Sequence, residues 1–139
     1  MSGCPYCDKG ESMAAIGLEV ARLSVSTLYF FREQTHPGRC IVAHDRHVSE
    51  FVDLPDDERN AFFADVDRAA KVLHSIYRPG KINYGAYGDT VRHLHFHLVP
   101  KYEGGPEWGG IFVMNPQKTY LTDDGYKDAI TKIRQALSR

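Results

Sequence analysis

The sequence predicts an α+β domain, an antiparallel sheet carrying two main helices, with residues 1–139 forming a single domain. Three observations lead there. Short apolar runs rich in β-branched and aromatic residues are set off by turn residues, as strands are. One long segment, 55–80, keeps its apolar residues on a single helical stripe, and a shorter segment past Thr122 does the same. The order of these elements, strands first and helices between and after, is that of an antiparallel sheet with helices packed on it.

Taken in order, Cys4-Pro5-Tyr6-Cys7 is followed by a short polar stretch with no assigned element. Runs at 16–23 and 25–31 (Val25, Leu28, Tyr29, Phe30, Phe31) read as strands. Pro37-Gly38 turns the chain into a strand at Arg39-Cys40-Ile41-Val42-Ala43, where Cys40 reads as a small buried hydrophobe. Pro55 suits a first helical position, and Asp56, Asp57 and Glu58 suit the positive end of the helix dipole. Phe62, Val66, Ala69, Leu73 and Ile76 then recur at steps of four and three until Pro79-Gly80 stops the helix. Strands near 81–87 and 92–100 follow, then a loop at Gly104-Gly105-Pro106-Glu107-Trp108-Gly109-Gly110. The tail from about Thr122 is a helix with Ile130, Ile133 and Leu137 on one side.

With 139 residues, the chain can build one core and not two. Hydrophobic residues at 42% and charged residues at 25% are ordinary for a globular protein, and repeats, low-complexity tracts and linkers are absent from the sequence. No apolar run is long enough to span a bilayer, so no membrane is expected as partner. A net charge of −1 supplies no basic field, so no long nucleic acid is expected either. Met1-Ser2-Gly3-Cys4 does not open like a secretion leader, and three cysteines are an odd number for a disulfide framework. The expected location is the cytoplasm.

The chemistry lies in His93-Leu94-His95-Phe96-His97-Leu98-Val99. On a strand, this alternation sends three imidazoles to one face and Leu94, Phe96 and Leu98 to the other. Neighbouring imidazoles are then rooted roughly 6–7 Å apart and the outer two roughly 13 Å apart, too far to share one metal easily. Such a row suits different tasks for successive histidines, whereas a bland polar strand face ordinarily uses Thr, Lys or Glu. Imidazole is largely uncharged at neutral pH and so is a ready nucleophile. Backbone N–H groups around Gly88 and Asp89 could form a small anion nest. Cys4-Pro5-Tyr6-Cys7 has metal-ligand spacing, but a closed site needs two more ligands; a redox pair or idle thiols are the competing readings.

The run of three histidines, led in by Gly88-Asp89-Thr90-Val91-Arg92 and followed by Pro100-Lys101-Tyr102, resembles the signature of the histidine-triad (HIT) family. The likeness runs from Cys4 to about Tyr102 (the motif core, 4–102, followed by a C-terminal loop and helix, 103–139) and is weakest after Trp108. It implies a HIT-like fold, with a five-stranded antiparallel sheet, usually paired into a homodimer. It also implies a small-molecule nucleotide substrate. By resemblance His95 is the nucleophile, attacking the α-phosphate and forming a covalent nucleotidyl-histidine that water or another acceptor then releases. His97 would be a donor to the phosphate or leaving group; Thr90, Asn83, Gly88 and Asp89 would hold the substrate.

In zinc-bearing members the two N-terminal cysteines are joined by two histidines, and His47 and His93 fit those places beside Cys4 and Cys7, with His44 a substitute for His47. Such a Zn2+ site is structural. Two positions depart from the pattern. Arg39 stands where many members carry histidine, and an arginine there resembles the galactose-1-phosphate uridylyltransferase branch more than the common hydrolase branch; it reads either as a phosphate clamp or as a solvated strand-end charge. The acidic residue expected at the ribose is replaced by Phe31 or Arg32, with Glu33 nearby. Pro100-Lys101-Tyr102 and Pro106-Glu107-Trp108-Gly109-Gly110 resemble the diadenosine polyphosphate hydrolase branch, with nucleoside phosphoramidates as close alternatives. The activity expected is that of a nucleotide hydrolase or nucleotidyltransferase. A zinc-dependent metallohydrolase and a non-catalytic nucleotide-binding sensor are the alternatives.

Overall fold

A computed structural model describes residues 3–139; Met1 and Ser2, which open the stretch read above as unlike a leader, lie outside the described residues. Five strands form one antiparallel sheet: β1 (Gly17–Arg22), β2 (Ser26–Phe31), β3 (Cys40–His44), β4 (Lys81–Gly85) and β5 (His95–Lys101), in the order β1-β2-β3-β5-β4. The register sets Ile41 opposite His97 and Ala43 opposite His95. Residues opposite one another share a face. Tyr29, Ile41, Ala43, His95 and His97 therefore line one side of the sheet, and Leu28, Phe30, Val42 and Leu98 the other.

The second side carries the main core. Helix α3 (Asp56–Tyr77) buries Phe62, Val66, Ala69 and Leu73 there, with Ile76 partly buried. Helix α4 (Asp123–Leu137) adds Tyr126, Ile130, Ile133 and Leu137. Pro55 is the N-cap of α3 rather than its first helical residue, one position from the expected place. The helix stops at Tyr77 because Arg78 turns left-handed (φ 47°) and Pro79 cannot continue the ladder. The Thr122 side chain accepts the Gly125 N–H and caps α4.

The polar stretch after Cys7 differs from its reading. It holds two short helices, α1 (Pro5–Asp8), with Pro at its first turn, and α2 (Glu11–Ile16). β5 also begins at His95, not near 92: the Leu94 N–H bonds to the Val48 carbonyl, and the Leu94 carbonyl accepts from His44. His93 is thus delivered toward the 44–48 segment rather than lying within the ladder. Among the described residues, no helix is long and apolar enough to cross a membrane.

Asp65, buried on α3, ties the helix to the β1–β2 turn. Its carboxylate accepts from Ser24 N (3.1 Å) and Oγ (2.7 Å), Val25 N (2.9 Å) and Ser26 Oγ (2.6 Å). Asp65→Ala strands four donors, and calorimetry is expected to show a loss of about 3 kcal/mol, or roughly 10 °C in Tm. A shift under about 3 °C would contradict this role.

Candidate active site

The sheet face away from the main helices opens into a cavity of about 610 Å³. His95 and His97 line it together with Phe31 and Ile41. One rim is the 87–91 loop and the other the 111–115 segment, while Tyr6 and Ile16 close the N-terminal side.

His95 leads with one nitrogen. Its Nδ1 lies 2.5 Å from the His93 carbonyl, so Nδ1 carries the proton and donates, leaving the Nε2 lone pair unprotonated. Burial lowers the His95 pKa below the ordinary value, so the ring is neutral at pH 7. The Tyr6 ring lies against it, with centroids 4.9 Å apart, and reaches His93 as well at 5.2 Å.

His97 follows on the same face, ring centroid 5.4 Å from that of His95. Burial, with Arg39 and then His95 adding to it, pushes its pKa down to about 3. The sign follows: unfolding restores an ordinary imidazole of pKa about 6.5, which binds a proton that the folded ring refuses. The stability tied to a neutral His97 is fully present above about pH 6.5 and is lost as pH falls toward 3. Denaturant melts at stepped pH should show a decline over that window that is smaller by a few kcal/mol in His97→Asn. An equal decline in both proteins would contradict the assignment.

Gly88, Asp89 and Thr90 all reach the cavity rim. Gly88 needs to be glycine, because its φ is +100° and a Cβ there would stand 2.9 Å from the Val91 carbonyl oxygen. Asn83 does not reach it. The β4–β5 register sets it opposite Val99, beyond His97, and it borders a separate depression beside Tyr84 and Gly110. Arg39 is neither a solvated strand end nor a clamp on the cavity wall: it is 0% exposed and sits behind His97. Glu33 is also turned away, its carboxylate taken by Thr35, Lys118 and Thr119. Asp89 is the one carboxylate on the described cavity wall.

Tyr6, Phe112 and Asn115 line the cavity without having been singled out from the sequence. The apolar run Ile111-Phe112-Val113-Met114, in a segment without helix or strand, was the available signal for the 111–115 wall. This wall is held from below: Lys101 Nζ donates to the Gly110 carbonyl at 2.6 Å, and Glu107 accepts the Val113 N–H at 2.9 Å while its other oxygen lies 2.6 Å from His36 Nε2.

Cys4, Cys7, His47 and His93 converge beside the cavity, their ligand atoms all within 4.8 Å of one another. His47 Nδ1 and His93 Nδ1 are 3.2 Å apart, and sulfur–nitrogen separations are 3.3 to 3.5 Å. A tetrahedron with Zn–S near 2.3 Å and Zn–N near 2.05 Å has edges of about 3.6 Å for sulfur–nitrogen and about 3.3 Å for nitrogen–nitrogen, so the donor set fits a metal ion. His93 Nε2 lies 2.6 Å from the His44 carbonyl, to which it donates, which leaves Nδ1 as the free lone pair facing the cluster. His44 itself is not in the cluster. Its ring packs on Phe62 and its Nδ1 accepts the Arg46 N–H at 3.0 Å. The cluster and the cavity are joined twice, by the His93 carbonyl on His95 and by Tyr6, which stands between the two cysteines.

Comparison with known proteins agrees with this geometry. Residues 28–104 match the HIT domain family. An AP-4-A phosphorylase of Mycobacterium tuberculosis is 36% identical over 116 residues, covering 76% of this chain and 54% of the relative. The chain thus spans about half the length of that curated relative. In fold, it superposes on a histidine triad protein from Marinobacter aquaeolei with a TM-score of 0.84 at 19% identity, covering 93% of this chain and 94% of the other. A Zn-bound histidine triad family protein from Mycobacterium smegmatis gives a TM-score of 0.65 at 17% identity, covering 98% and 94%. With a family match over more than half its length and three histidines in the family's pattern, this chain belongs to the HIT domain family.

Proposed function

We propose that this protein is an enzyme that cleaves a nucleotide at its α-phosphate through His95. The observation that carries the reading is the His95 ring, its Nδ1–H fixed on the His93 carbonyl and its Nε2 left as the nucleophilic nitrogen of a cavity-lining side chain. Nε2 attacks the α-phosphorus, a P–N bond forms, and the P–O bond to the leaving phosphate chain breaks, its electron pair going to the departing oxygen. The His93 carbonyl stabilises the positive ring of the nucleotidyl-histidine. Water or inorganic phosphate then attacks the same phosphorus and returns the electrons to Nε2. His97 and Thr90 donate to phosphate oxygens, and the Gly88–Asp89 backbone offers further N–H groups.

A volume of about 610 Å³ with aromatic and aliphatic walls suits a nucleoside phosphate. The name of the tuberculosis relative favours a dinucleoside tetraphosphate, with nucleoside phosphoramidates as the second class. Cys4, Cys7, His47 and His93 would hold Zn2+ as a structural ion that pins the N-terminus to the segment leading into β5. Four protein ligands fill a tetrahedral shell, which disfavours the metallohydrolase alternative. We read residues 1–139 as one HIT-like domain, working in the cytoplasm and pairing with a second copy; sedimentation tests the pairing.

Diadenosine tetraphosphate turned over in 18O-labelled water is expected to place the label in AMP. With inorganic phosphate as acceptor, ADP replaces AMP. Label confined to the other fragment would overturn attack at the α-phosphorus, and tight binding without product would favour the sensor reading.

A further inference from the structure

Arg39 is the largest side chain wholly buried in the described structure, and none of its hydrogen-bond partners is a carboxylate. Nη2 lies 3.1 Å from His97 Nδ1 and 2.8 Å from the Met114 carbonyl; Nη1 lies 3.3 Å from the Val113 carbonyl. Its Nε finds no partner. The guanidinium is sandwiched by the Phe31 ring at 4.0 Å and the Phe112 ring at 5.0 Å. A buried charge without a paired carboxylate is costly to fold.

Guanidinium has donors and no acceptor. Burial, tempered by Glu33 and Glu107, lowers the Arg39 pKa only to about 10, so the group stays charged at neutral pH. The atom facing it on His97 must therefore accept, and the ring's proton must sit on the other nitrogen. We infer that Arg39 is a positioning residue that fixes His97 as a neutral ring protonated at Nε2 and, with the same fork, fastens the 111–115 wall beside it. This rests on the reading that His97 serves the phosphate. Such a ring presents one permanent hydrogen-bond donor. It does not carry protons, since Nδ1 is blocked and loss of the Nε2 proton would leave an imidazolate. The other groups around His97 are His95 on its own strand and Asp89 on the wall of the same cavity.

Long-range proton–nitrogen NMR on the substrate-free protein reads the ring directly. In the wild type, His97 is expected to show only the Nε2–H form, unchanged between about pH 8 and about pH 5. In Arg39→Met, Nδ1 loses its donor, and both tautomers are expected near pH 8. Arg39→Lys, which keeps a charge and a donor, is expected to retain the wild-type pattern. Turnover by Arg39→Met should fall about 100-fold in kcat, the lower end of the range for losing one preorganised donor. A wild-type His97 carrying its proton on Nδ1 overturns the inference even if Arg39→Met fails to fold. So does a folded Arg39→Met whose His97 still behaves as in the wild type. Neither result touches the His95 nucleophile, and a protein with no nucleotide turnover would sink the proposed function while leaving the His97 ring as measured.

Discussion

Replacing His95 by alanine is expected to lower turnover of a dinucleoside polyphosphate by about 10⁴-fold or more, the scale seen when a nucleophile is removed and binding alone remains. Substrate affinity should change little, because the cavity is shaped by Phe31, Ile41, Tyr6 and the 111–115 wall, all of which stay in place. The fold should survive too. His95 spends its hydrogen bond on a neighbouring carbonyl and packs on Tyr6, and its loss is expected to move Tm by less than about 5 °C. The contrast between the two readouts makes the prediction specific. A folded His95→Ala that keeps turnover within about tenfold of the wild type would remove His95 from the chemistry.

The second large effect is expected from the Cys–His cluster. Structural zinc in small sites contributes apparent binding energies of about 10–16 kcal/mol, and here it would fasten residues 4–7 to the His47 and His93 segments. Elemental analysis should find one zinc per chain. Cys7→Ser, or chelation, should remove it and lower Tm by about 15 °C or more. The damage should also reach the nucleotide. Tyr6 sits between the two ligand cysteines and stacks on His95, so metal-free protein should bind nucleotide more weakly while any residual turnover still depends on His95. Turnover in metal-free protein that remains folded would separate the covalent mechanism from a water-activating metal centre. A protein that takes up no zinc and melts identically with and without it would refute the metal assignment.

Local pattern explains why so much of this arrangement was legible in the chain. The two-residue alternation around His95 and His97 depends only on strand geometry, and the apolar stripe of α3 depends only on helix geometry. The family resemblance supplied His47 and His93 as partners for Cys4 and Cys7, and all four meet. What could not be read depends on long-range pairing. Asn83 leaves the cavity because of where β4 registers on β5, which nothing within 81–87 specifies. Arg39 is drawn inward by carbonyls at Val113 and Met114, more than seventy positions away, so its strand-end context gave no hint of burial. The helices α1 and α2 span four and six residues, too short for a periodic pattern to register. Tyr6 reaches the cavity through contacts distant in sequence: it packs with Tyr29, Phe31 and Ile41, and its flanking thiols meet His47 and His93.

The proposed chemistry turns on one bond, phosphorus to the Nε2 of residue 95. Rapid mixing with a dinucleoside polyphosphate, an alkaline quench and mass spectrometry of the His95 peptide reads that bond directly. A nucleoside monophosphate adduct is expected on His95, forming and decaying at rates compatible with turnover, and none in His95→Ala. Full turnover with no adduct at any time, or an adduct confined to another residue, would contradict it.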